Sequence, residues 1–189
     1  MCGLLGMLAA TGNVDKYVDA LERSLPCMRH RGPDAAGTWH DGDAAFGFNR
    51  LSIIDLEHSH QPLRWGPEDQ PDRYAMTFNG EIYNYVELRE ELKGLGYTFH
   101  TEGDGEPIVV GYHHWGKDVV NHLRGMFGIV IWDTHTKTMF AARDQFGIKP
   151  LYYTTTPAGT VFASEMKCIL EMADEIGLEL NLDRRAIEH

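Results

Sequence analysis

The second residue is a cysteine held between Met1 and Gly3. Removing the initiator Met1, which a small second residue permits, would leave Cys2 with a thiol and a free α-amine on one residue. Thiols attack as thiolates, and an α-amino group titrates near pH ~8, so the amine can take the thiol proton directly or through a water. Nucleophile and base would then share one residue, the N-terminal-amine form of covalent catalysis. The plain alternative is a small hydrophobe at a frayed terminus.

Four further pieces can be set beside Cys2: Arg50 at the end of an expected strand, Asn79-Gly80-Glu81 after another, Asp104 before a helix, and the run Arg143 to Tyr153. Each piece also has an ordinary reading. Arg50 could form a surface ion pair, Asn79-Gly80 a hairpin turn, Asp104 a helix cap and Glu81 a solvated charge at a strand end.

The elements that must position these residues follow from periodicity. Leu4 to Ala10 is a short apolar run with no basic residue before it, which predicts a core strand and not a leader or a membrane span. Val14 to Met28 has helical spacing, disturbed near Pro26. Strands are predicted at 37–40, 44–48 and 51–54, a polar surface loop over 57–73, and a strand over 74–78 that ends at Asn79-Gly80. Helices follow over 83–95 and from about Asp104, then strands at 127–132, 138–142, 151–155 and 160–163, and a helix over 165–173. That order predicts an α+β fold with helices on the outer faces of sheets.

The 189 residues suit one domain, with 17 basic against 28 acidic residues. No dense basic cluster exists, so nucleic acid is not an expected partner. Three cysteines without CxxC spacing point to a reducing compartment, the cytoplasm, and Cys27 and Cys168 read as buried and inert. Ten histidines lack ligand spacing, so no metal is expected. GxxxxGK[ST] and GxGxxG are absent, which predicts no nucleotide cofactor in this domain.

Taken together, Met1-Cys2-Gly3, Arg29-His30-Arg31-Gly32-Pro33-Asp34, Arg50 to Asp55, Phe78 to Asn84, Arg143 to Tyr153 and Ala163 to Lys167 resemble the glutaminase domain of asparagine synthetases, which are class II glutamine amidotransferases. The resemblance implies the N-terminal-nucleophile hydrolase fold, two stacked antiparallel sheets between helical layers (αββα). It implies hydrolysis of L-glutamine through a Cys2 thioester, with Asn79 and Gly80 as oxyanion donors, Arg50 at the α-carboxylate, and Glu81 and Asp104 at the α-ammonium.

It further implies a domain over 1–173, with 174–189 starting a linker to a synthetase domain absent from this chain. ATP and magnesium would be used there to make asparagine from aspartate. The Arg143 to Tyr153 run takes a structural and interface role, and a homodimer stays open. Gly105, Pro107 and Asn49 depart from the family pattern. Rival readings are a different ammonia acceptor, a non-catalytic docking module, and an amidase for other amides, which Arg50 disfavours.

Overall fold

The computed structural model describes residues 2–53, 55 and 60–181. Met1, Ile54 of an expected strand, Leu56, residues 57–59 of the expected loop and 182–189 of the expected linker lie outside them.

The first strand, β1 (Gly3–Ala9), is central to a five-stranded antiparallel sheet, with β3 (Ala44–Arg50) on one side and β9 (Gly159–Ala163) on the other. The edge strands are β2 (Ala35–His40) and β8 (Tyr152–Thr156). A strand covered on both faces reads as a continuous apolar run, which is why Gly-Leu-Leu-Gly-Met-Leu-Ala lacks the usual alternation. The second sheet orders β4 (Leu63–Trp65), β5 (Tyr74–Ile82), β6 (Gly125–Asp133) and β7 (Thr138–Arg143), again antiparallel.

Side-chain alternation sorts these strands into layers. Leu4, Phe46, Phe48, Ala75, Val130 and Trp132 meet between the sheets. Leu5 and Met7 point the other way, onto α1 (Asp15–Ser24), α4 (Met166–Glu171) and α5 (Ala173–Ile176), where they pack with Leu21, Met172 and Ile176. Ile129 and Ile131 face α2 (Tyr85–Gly94) and α3 (Glu106–Trp115), packing with Leu88, Leu92 and Ile108. The order is helix, sheet, sheet, helix, the αββα arrangement expected from the resemblance. Each fully buried Leu, Ile or Met contributes about 1.5–3 kcal/mol, so the layers are held chiefly by these three apolar interfaces.

Several expectations change. The 14–28 helix divides at Ser24 into α1 and a 3-10 turn over Leu25–Met28, because Pro26 has no N–H to continue an α-helix. Residues 51–53 form no strand, and the loop expected over 57–73 contains β4. The strand expected to end at Asn79-Gly80 continues to Ile82 without a turn, because β6 pairs with it residue for residue from Tyr74 to Ile82. The last helix, α5, straddles the expected boundary at 173 and buries Ile176. Among the described residues no helix is long and apolar enough to cross a membrane.

Candidate active site

The antiparallel pairing of β1 with β3 starts at Gly3 opposite Asn49, which places Cys2 beside the end of β3. Cys2 Sγ lies 3.4 Å from the Leu51 N–H and 3.5 Å from the Leu51 carbonyl. Burial raises the thiol's pKa, while the Leu51 amide and the Arg50 charge pull it down and Asp104 pushes it up. The thiol therefore needs a nearby base to react at neutral pH.

The backbone around Cys2 is anchored by the Arg29 to Asp34 segment. Arg31 Nε donates to the Cys2 carbonyl at 3.0 Å, and its Nη1 reaches Glu165 at 3.0 Å. His30 also contacts Glu165 at 3.0 Å. Burial works to raise the Glu165 pKa, but Arg31 and His30 hold it below the usual carboxylate range. Asp34 accepts the Ser52 N–H at 2.8 Å, and a Cβ on Gly32 would lie 2.2 Å from the Asn49 carbonyl, so only glycine permits that approach. Asn49 itself is buried and donates Nδ2 to the Leu25 carbonyl at 2.6 Å, a structural role for a position that departs from the family pattern.

All six residues singled out by sequence come together. Cys2, Arg50, Asn79, Gly80, Glu81 and Asp104 line one cavity of about 220 Å³. Arg50, at the end of β3, is 7% exposed and donates Nη2 to the Asp55 carbonyl at 2.6 Å. Asn79 is buried, with Nδ2 3.5 Å from Ser164 Oγ and Oδ1 without a partner among the described residues. The Ser164 Oγ in turn accepts the Leu4 N–H at 3.1 Å, so one hydroxyl links the thiol-bearing terminus to Asn79 across the two sheets.

The Asp104 side chain does not cap α3, whose first turn carries Pro107 and makes no side-chain cap bond. It accepts the Ile82 N–H at 3.0 Å instead, reaching β5 from the loop ahead of α3. Burial raises the Asp104 pKa, and the neighbouring Glu81 charge adds to that. Two carboxylates, Glu81 and Asp104, thus face one cavity, an arrangement an ammonium group would relieve.

Six further residues complete the wall, Leu51, Ile53, Gln61, Phe78, Met126 and Lys149, and sequence reasoning gave none of them a site role. Gln61 lay in a polar, proline-rich stretch. Lys149 lay in the run read as structural, although it is 5% exposed and joins the cavity wall. Asp144 explains the rest of that run, because its carboxylate accepts the N–H groups of Phe127, Phe146, Ile148 and Lys149 at 2.9–3.2 Å. Of the other thiols, Cys168 is buried in the helical layer with its pKa pushed up to about 12, chiefly by burial, and Cys27 is half-buried.

Comparison with known proteins places this arrangement. Residues 1–189 match the model of a glutamine amidotransferase domain. A putative glutamine-hydrolysing asparagine synthetase of Mycobacterium bovis is 54% identical over 200 residues, covering 100% of this chain and 31% of the relative. Glutamine-hydrolysing asparagine synthetase 1 of Bacillus subtilis is 42% identical over 193 residues, covering 100% of this chain and 29% of the relative. The chain thus spans under a third of the length of these curated relatives. Among solved structures, the glutamine phosphoribosylpyrophosphate amidotransferase of B. subtilis, complexed with ADP and GMP, superposes with a TM-score of 0.70 at 21% identity, over 93% of this chain and 44% of that one. At that identity the likeness carries the fold alone.

Proposed function

The chain belongs to the family of glutamine amidotransferase domains, and from that premise we propose that it hydrolyses L-glutamine to glutamate and ammonia through a thioester on Cys2. The convergence of Cys2, Arg50, Asn79, Gly80, Glu81 and Asp104 on one cavity is the observation that carries this reading.

With Met1 removed, the Cys2 α-amine takes the thiol proton and Sγ attacks the side-chain amide carbon of glutamine. The carbonyl oxygen becomes an oxyanion, received by the Asn79 side-chain amide and the Gly80 N–H. Asn79 Nδ2 is held only weakly, at 3.5 Å from Ser164, and so is available for redirection. Each such donor contributes about 3 kcal/mol to the transition state. The protonated amine returns its proton to the departing nitrogen, ammonia leaves, and water cleaves the thioester to release glutamate.

At the other end of the substrate, Arg50 pairs with the α-carboxylate and Glu81 with Asp104 receives the α-ammonium. An aliphatic analogue would be poorly accepted, because it leaves unpaired the polar groups that hydrogen-bond the side-chain amide. Ammonia then serves ATP- and magnesium-dependent asparagine synthesis from aspartate in a synthetase portion. Exposed apolar residues near the cavity, Phe146 (80%), Tyr153 (71%) and Ile148 (55%), suit docking of that portion. The reducing cytoplasm is the compartment that suits three free cysteines.

The test is glutamine-dependent release of ammonia and glutamate by the purified protein, with Cys2→Ala abolishing both and intact mass showing loss of Met1. Ammonia release unaffected by Cys2→Ala, or full activity from protein retaining Met1, would refute the reading.

A further inference from the structure

In the β4–β5 ladder, Leu63 pairs with Met76 and Trp65 with Tyr74, so the same register carried two residues further sets Gln61 opposite Phe78. The backbone ladder stops at Leu63, short of Gln61. Gln61 instead turns its carbonyl toward the other sheet, where a Cβ on Gly37 of β2 would meet it at 2.5 Å. Its side chain takes over the lost pairing. Gln61 Oε1 accepts the Phe78 N–H at 2.7 Å, and Gln61 Nε2 donates to the Phe78 carbonyl at 3.0 Å.

The consequence for the site comes from strand alternation. In an antiparallel strand, backbone N–H groups two residues apart point to the same side. The Phe78 N–H goes to Gln61 and the Ile82 N–H to Asp104, both away from β6, and the Gly80 N–H lies between them on that edge. Gln61 therefore fastens the near end of the segment that presents Gly80 and Asn79, as Asp104 fastens the far end. Gln61 also lines the cavity itself.

We propose that Gln61 is a positioning residue for glutamine hydrolysis, its carboxamide replacing a missing strand neighbour and holding the Phe78–Gly80 backbone so that the Asn79 and Gly80 donors converge on the substrate's amide oxygen. This rests on the oxyanion reading of Asn79 and Gly80 given above. A carboxamide supplies one donor and one acceptor side by side, which is what Phe78 requires. A carboxylate supplies two acceptors and matches Phe78 only when protonated.

The experiment measures kcat and KM for glutamine from pH 6 to 9 in the parent and in the near-isosteric variants Gln61→Glu and Gln61→Met, with Asn79→Ala as reference. Gln61→Glu should lose about tenfold or more in kcat at pH 8, as befits a misplaced oxyanion donor, with KM changed by less than about threefold. Its kcat relative to the parent should recover as pH falls and the half-buried carboxyl protonates, regaining the donor that the Phe78 carbonyl needs. Gln61→Met should lose a similar factor at every pH, and it carries the test if Gln61→Glu does not fold.

Either variant, folded and with parental kcat, overturns the proposal. So does a rise in KM with kcat unchanged, which would make Gln61 only a wall of the pocket. If Asn79→Ala itself leaves kcat intact, the oxyanion reading has failed; if Asn79→Ala cripples the enzyme while Gln61→Glu and Gln61→Met do not, the role given to Gln61 alone has failed.

Discussion

Arg31 holds Cys2 by its backbone and not by its thiol: Nε donates to the Cys2 carbonyl at 3.0 Å while Nη1 pairs with Glu165 at 3.0 Å. In the proposed mechanism Cys2 would become a chain end once Met1 is removed, with nothing covalent upstream to fix it. A charged donor anchored in a partly buried ion pair supplies the missing constraint. Arg31→Met removes both bonds and leaves Glu165 with His30 and Lys167. Bonds to charged groups contribute about 1.5–3 kcal/mol, so a Tm loss of several degrees is expected for a chain of this size. Arg31 does not line the cavity, so kcat should fall about tenfold or more with KM for glutamine little altered. Steady-state kinetics decides this, and a variant with raised KM and normal kcat would contradict the anchoring role.

Asp104 sets substrate binding against stability. Its folded pKa is raised, first by burial and then by Glu81, so the folded state holds this proton more tightly than the unfolded chain does. The contribution to stability is full below the unfolded pKa and is lost as pH rises through the folded value. Wherever it is ionised the carboxylate is therefore a burden, one that the ammonium of the proposed substrate would relieve. Asp104→Asn keeps an oxygen for the Ile82 N–H and removes the charge. We expect a higher Tm at pH 8, no gain near pH 3, and a KM for glutamine raised about 10- to 100-fold, the worth of one charged hydrogen bond. Calorimetry at the two pH values with glutamine titration checks both signs together.

The opposite sign governs Asp144. Burial opposes its ionisation, but four backbone N–H groups outweigh that and hold its pKa below the usual range. Its contribution is present above the unfolded carboxylate pKa and is lost as pH falls through the lower folded value. Asp144→Ala leaves four N–H groups without their acceptor, three in its own loop and that of Phe127 in β6, and should cost about 3 kcal/mol at pH 7. The gap from the parent should close in strongly acidic solution. Denaturant melts across pH measure it, and a gap independent of pH would remove the carboxylate from the explanation.

The contrast between these aspartates marks what was legible in the sequence. The apolar stretch from Leu4 to Ala10 identified a core strand, observed over Gly3–Ala9, and period-two runs identified β6 to β9. The Asn79-Gly80 pair carried the local signature of a turn, yet β6 runs alongside and keeps the chain extended through it. Tertiary pairing overrode local preference there. Asp104 looked like a cap and was drawn instead to a strand 22 residues earlier. The six candidate residues were recognisable by type and motif, but their convergence depends on which strands are neighbours. Gln61 and Lys149 were not recognisable, because each reaches the cavity from a polar segment whose path no local pattern specifies.

Gly80 offers a sharp test of the strand edge itself. A Cβ at this position would lie 2.2 Å from the Met126 carbonyl oxygen and 2.8 Å from the Phe127 Cα. Both are backbone atoms of the paired strand β6, so no rotamer change can absorb the clash, and β5 must move away from β6 where the candidate oxyanion donor lies. Gly80→Ala should cost about 1–3 kcal/mol in stability, the usual range for forced overpacking, and about 100-fold or more in kcat as the donor shifts. Gly94 in α2 provides the control, since a Cβ there meets nothing within 4 Å. Gly94→Ala should stabilise the chain by roughly 0.5–1 kcal/mol, because alanine favours a helix over glycine, and leave kcat at the parental value. Thermal melts and glutaminase assays on the pair separate a general glycine effect from a local one. Parental kcat in a folded Gly80→Ala variant would show that the N–H at this edge takes no part in stabilising the oxyanion.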